Sequence, residues 1–84
     1  NFPNPFNPLT KIKFDIPAVV TAGSMIKLVV YDITGRETAL LVNESLSPGR
    51  YEASWNASDY SSGVYIYRLE AGEFVSIKKM VLVK

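Results

Sequence analysis

The stretch TKIKFDI, from Thr10 to Ile16, alternates polar and apolar residues from Lys11 onward. Ile12, Phe14 and Ile16 fall on one side, and the residues between them are charged. A period of two is typical of a β-strand with one face against a core and the other in water. This stretch therefore predicts a first, half-buried strand.

Five further segments show strand character and none shows helical periodicity. Residues 25–32 are rich in β-branched and aromatic types, which indicates a central strand covered on both faces. The next segment is less regular and is expected at a sheet edge, and the last two are predicted to form a terminal hairpin. The five segments are 25–32, 37–42, 51–55, 64–70 and 74–83. Short strands with turns at near-even spacing favour an all-β sandwich of two antiparallel sheets, with six or seven strands.

The last segment carries apolar residues of both parities. Val75 and Ile77 share one parity, whereas Met80 and Leu82 share the other. Either both faces of this strand are covered, or a β-bulge near Lys78 and Lys79 resets the register. We favour the bulge.

Length and composition point to a single domain without a leader. The chain has 84 residues, of which 48% are hydrophobic and 20% charged, so it has room for one core. We expect a Pro-rich junction at residues 1–9, a β-sandwich at 10–84, and a larger cargo domain before Asn1, where no initiator Met stands. Neither a signal peptide nor a membrane span is expected.

The residue types present argue against several functions. The chain has nine Lys and Arg and eight Asp and Glu, and the two signs of charge alternate along the sequence. A nucleic-acid surface would instead need clustered positive charges. Without His or Cys, the usual nucleophilic triads and zinc sites cannot form. The five glycines are isolated, so no nucleotide cradle is predicted. We expect no enzyme activity, no metal and no cofactor.

The aromatic residues allow two interpretations. Trp55 with Tyr51 and other tyrosines could form an exposed platform for sugar rings. Alternatively they pack in the core, which the shared parity of Tyr51, Ala53 and Trp55 favours.

Four motifs spread over the chain carry a family resemblance. They are Phe2–Pro8 (FPNPFNP), Val30–Arg36 (VYDITGR), Ser62–Leu69 (SGVYIYRL) and Lys79–Lys84 (KMVLVK). In this order they resemble the type A C-terminal sorting domain of the type IX secretion system.

The resemblance implies an immunoglobulin-like sandwich of about seven strands and a non-catalytic role in secretion. It implies recognition by the outer-membrane translocon, removal by a sortase-like peptidase near residues 1–8, and a cargo that reaches the cell surface or the medium through the periplasm. The matched recognition residues are Gly63, Val64, Tyr65, Lys78, Lys79, Met80, Val81, Leu82, Val83 and Lys84.

Two other functions stay open at this point. The stretch from Phe2 to Arg68 is also similar to the immunoglobulin-like part of the flagellar hook-capping protein, which would make the chain a structural assembly module. A carbohydrate-binding accessory domain of a secreted hydrolase would instead require the exposed aromatic platform.

Overall fold

The computed structural model describes residues 9–83, which form six strands and no helix. The strands are β1 (Leu9–Ile16), β2 (Met25–Asp32), β3 (Glu37–Ser45), β4 (Gly49–Asn56), β5 (Gly63–Ala71) and β6 (Phe74–Leu82). The predicted Pro-rich junction lies outside the described residues, apart from Leu9.

The strands form two antiparallel sheets. The small sheet pairs β1 with β4, and the large sheet has the order β3-β2-β5-β6. The predicted all-β sandwich is confirmed, as are the central position of β2, the edge position of β3 and the hairpin of β5 and β6.

The expectation of about seven strands is wrong for the part of the chain described, which has six. The connection between β1 and β2 supplies no strand because it is a pair of tight turns. In it, the Val20 amide donates to the Pro17 carbonyl at 3.0 Å and the Ser24 amide donates to the Thr21 carbonyl at 3.1 Å.

The core lies between the facing surfaces of the two sheets. Ile12, Phe14 and Ile16 are buried there from the small sheet, as the alternation predicts. Ile26, Leu28 and Val30 of β2 are fully buried opposite them. Burial of each such side chain stabilises the fold by roughly 1.5–3 kcal/mol.

Trp55 lies inside this core with 2% of its surface exposed. The Tyr65 ring meets it edge-on at 5.1 Å, and the Tyr60 ring is tilted by 41° at 5.4 Å. Rings at these angles around a buried indole do not form a flat exposed row. The aromatic platform for sugars is therefore wrong, and core packing is confirmed.

The predicted bulge in the last strand is also wrong. β6 pairs with β5 in one unbroken register, from Ala71 opposite Phe74 to Gly63 opposite Leu82. Nor are both faces covered, because Ile77 and Val81 point outward and are 63% and 64% exposed. The small sheet covers only the inner face of the large one, which leaves the outer face of β6 to solvent.

Candidate functional site

The two segments proposed for recognition are adjacent strands. Residues 63–65 open β5, and β6 brings Leu82, Val81 and Met80 directly opposite Gly63, Val64 and Tyr65. The terminal hairpin thus joins motifs that are well separated in sequence into one surface. Lys84 lies outside the described residues.

Some members of this set point into the sandwich. Tyr65 and Leu82 are buried with 6% and 5% of their surfaces exposed, and Met80 packs against the same core. The Tyr65 hydroxyl donates a hydrogen bond of 2.7 Å to the Ser61 carbonyl, which fixes the chain entering β5. Tyr65 and Leu82 hold the hairpin in place and are not available to a partner, whereas Met80 is only half-buried.

The other members are accessible. Lys78, Lys79, Val81 and Val83 are exposed, and Val83 reaches 80%. Sequence reasoning missed that Val75 and Ile77 continue the apolar row of Val81 along the outer face. The signal was the mixed parity of β6, which we interpreted as a bulge instead of an uncovered face.

Gly63 opens the Gly-x-Tyr motif with a φ of +156°. A Cβ placed on it would meet no heavy atom within 4 Å, so the backbone conformation, and not space, favours glycine there.

The turn after β2 is organised by one carboxylate. Asp32 Oδ1 accepts hydrogen bonds from the Thr34 amide at 2.9 Å, the Thr34 hydroxyl at 2.6 Å and the Arg36 amide at 3.0 Å. The bond from the Thr34 hydroxyl, followed by that from the Arg36 backbone, lowers the pKa of Asp32 below its ordinary value. Gly35 has the predicted positive φ, +89°.

The Asp32 turn borders a shallow hollow of about 520 Å³ that reaches the start of β5. Its polar groups already serve the local fold: the Tyr60 hydroxyl, for example, donates to the Thr38 carbonyl at 2.7 Å. These hydrogen bonds stabilise the turns around the hollow, so its polar groups have a structural role.

Among residues 9–83, no group of three or more His, Cys, Asp or Glu side chains is placed to hold a metal ion, and no helix could span a membrane.

Comparison with known protein families shows which family this chain belongs to. The family model described as the secretion system C-terminal sorting domain matches residues 1–84, the whole chain. The chain belongs to this family. Neither the curated proteins nor the solved structures include a significant match.

Members of this family are sorting signals of the type IX secretion system and are generally non-catalytic. A C-terminal sorting domain implies a cargo protein before it and a secretion machinery that reads it. It also implies that the cargo is secreted or placed at the cell surface.

Proposed function

We propose that this sorting domain directs its cargo across the outer membrane by presenting the β5–β6 hairpin to the translocon of the type IX system. The observation that carries the proposal is the direct pairing of residues 63–65 with residues 80–82, in a chain that matches the sorting family throughout. The outward side chains Lys79, Val81 and Val83 are the contacts, and Lys78 flanks them; Lys84 follows them in the sequence.

The buried members have a different task in this proposal. Tyr65, Met80 and Leu82 hold β6 on the sandwich, so that its outer face is displayed in a fixed register. Gly63 and Val64 form the adjacent rim. No residue of the surface needs to act chemically, which agrees with a non-enzymatic role.

Export of a fusion protein tests the proposal. A fluorescent protein that is first directed to the periplasm is joined to the N-terminus of the 84-residue chain, in a bacterium with a working type IX system. We expect the fusion to reach the surface or the medium. A fusion that stays in the periplasm would contradict the sorting role and favour a structural assembly module.

Deleting the terminal residues is a poor test of the surface, because Leu82 contributes to the core. Its loss costs about 2–4 kcal/mol, of a total stability of about 5 kcal/mol for so small a domain. The double variant Lys79→Ser and Val81→Ser changes only exposed side chains. The matched control is Lys27→Ser with Leu40→Ser, also exposed, on β2 and the opposite edge strand β3.

We expect the β6 double variant to lose export and the control to retain it. Both must show the same thermal unfolding, followed by the fluorescence of Trp55, the single tryptophan. Equal export of the two double variants would contradict the assignment of the outer face of β6.

We also propose that a sortase-like peptidase of the same system removes the domain after passage, by cutting near residues 1–8. Cleavage before β1 would release the cargo without opening the sandwich. Mass spectrometry of the exported fusion should show a cargo that lacks residues 9–83. A cargo that retains the β-sandwich would contradict the cleavage step.

A further inference from the structure

One side of the sandwich is open between β1 and β6. Among residues 9–83, β1 pairs only with β4 and β6 only with β5, so each has one unpaired edge. Two adjoining hollows of about 250 and 330 Å³ lie where these strands approach each other, and both are lined by Lys13 and Tyr67. We call this region the side groove.

The side groove is positively charged. Lys11, Lys13, Lys78 and Lys79 line it, against the single carboxylate of Asp15. Lys11 Nζ lies 3.8 Å from Glu52 Oε1, but both side chains are exposed to water, so this ion pair neutralises little of the positive charge of Lys11. No carboxylate in the described part of the chain pairs with the other three lysines. This concentration contrasts with the net charge of +1 for the whole sequence.

The rest of the groove is suited to an extended chain. Its floor is partly apolar, formed by Phe14, Tyr67 and Met80. Its β6 wall is a nine-residue strand without a bulge, and a regular edge strand offers alternate free N–H and C=O groups along its length. Added strands in protein complexes pair with such an edge.

Lysines on an edge strand can also serve only to prevent aggregation. That explanation does not account for Val75, Ile77 and Val81, which are 45%, 63% and 64% exposed on the same strand. An edge protected against every partner would lack such an apolar row. Lysines beside apolar residues instead select a partner of opposite charge.

We propose that the side groove binds an extended acidic segment of a partner protein, which pairs with β6 as a fifth strand of the large sheet. Side chains of paired strands lie side by side on the same face. The segment therefore places apolar residues beside Ile77 and Val81 and two consecutive acidic residues beside Lys78 and Lys79. This inference adds the chemistry of the partner to the proposed sorting function. It rests on that proposal only in placing the partner protein in the secretion machinery.

The test uses the purified 84-residue chain and a fluorescein-labelled peptide with the core Val-Glu-Glu-Thr-Val. Fluorescence anisotropy should show binding that weakens as salt is added. A peptide with Lys in place of both Glu should not bind. Lys78→Glu and Lys79→Glu should each weaken binding about tenfold or more, since each replaces attraction with repulsion. The matched control Lys27→Glu, on β2 away from the groove, should leave binding unchanged.

Two further measurements separate strand addition from general attraction between charges. The Lys78→Glu and Lys79→Glu double variant should bind the lysine peptide in preference to the glutamate peptide. Amide hydrogen exchange of residues 74–82 should slow when the glutamate peptide binds to the original chain.

Binding without slower exchange in β6 would overturn strand addition, and absence of binding would overturn the groove as a peptide site. Slow exchange of β6 in a dimer without peptide would make a second copy the occupant and overturn the acidic partner. Because these assays need no secretion machinery, their failure leaves the export result standing.

Discussion

Replacement of Tyr65 by Phe should destabilise the domain without changing what β6 presents to a partner. The variant keeps the buried ring beside Trp55 and removes only the hydroxyl, which donates to the Ser61 carbonyl at 2.7 Å. A hydrogen bond of this kind contributes about 1 kcal/mol. For a domain of this size, that loss lowers Tm by roughly 4–8 °C.

Thermal unfolding followed by Trp55 fluorescence measures the effect, because the indole lies 5.1 Å from the Tyr65 ring. Tyr31→Phe is the matched control. Tyr31 is a partly exposed tyrosine whose hydroxyl makes no hydrogen bond within residues 9–83, so its Tm should not change.

The export assay then separates the role of Tyr65 in folding from a role in recognition. At a temperature where Tyr65→Phe is folded, the fusion should be exported as well as the original. Lost export by a folded Tyr65→Phe domain would refute the view that this side chain serves folding and not recognition, and an unchanged Tm would refute the value given to the hydroxyl.

Three other substitutions have measurable outcomes. Asp32→Asn should remove part of the pH dependence of stability. Because the pKa of Asp32 is lowered in the folded state, its carboxylate stabilises the fold above about pH 4, and this contribution is lost as the pH falls through the folded-state pKa. The free energies of unfolding of the two chains, measured in urea, should therefore converge in acid. Gly35→Ala should cost about 1 kcal/mol in urea unfolding, from backbone strain alone, because φ is +89° and an added Cβ meets nothing within 4 Å; an unchanged midpoint would contradict this. Leu28→Ala, at a fully buried position, should cost about 3 kcal/mol in the same assay, and a loss below 1 kcal/mol would mean that the core is loosely packed.

Much of the fold could be predicted because alternation reports burial directly. In β1 every second residue from Ile12 onward is apolar, and Ile12, Phe14 and Ile16 are the residues the sheet buries. In β2 the β-branched and aromatic residues on both faces correctly indicated a strand between two others. Alternation and residue type are local features of the sequence, so they can be interpreted without knowing the partner strands.

The errors arose where burial depends on distant elements. Val75 and Ile77 lie on the outer face of the large sheet, and whether that face is covered depends on elements outside residues 74–82. The side groove could not be predicted for the same reason. Lys11 and Lys13 come close to Lys78 and Lys79 only because β1 belongs to the other sheet.

The candidate recognition surface could be predicted in part. A hairpin turn at Gly72 and Glu73 places Ala71 opposite Phe74, and counting outward from that pair brings residue 64 opposite residue 81. The register of the two motifs therefore follows from a predictable turn. Which side chains of the pair face outward required the structure.

The two strands of the small sheet are distant in sequence: Ile16 pairs with Gly49 and Leu9 with Asn56. Closing so long a loop is entropically costly, and contacts of this kind form late. The β2–β3 and β5–β6 hairpins are local, whereas the β2–β5 pairing, from Ile26 with Ala71 to Asp32 with Tyr65, is as long-range as β1–β4. We therefore expect both long-range pairings to form after the hairpins. In the sorting proposal the cargo precedes β1 in the chain. A pulling force applied through that connection would therefore load the β1–β4 pairing before it reached the β5–β6 hairpin, which lies near the other end of the chain.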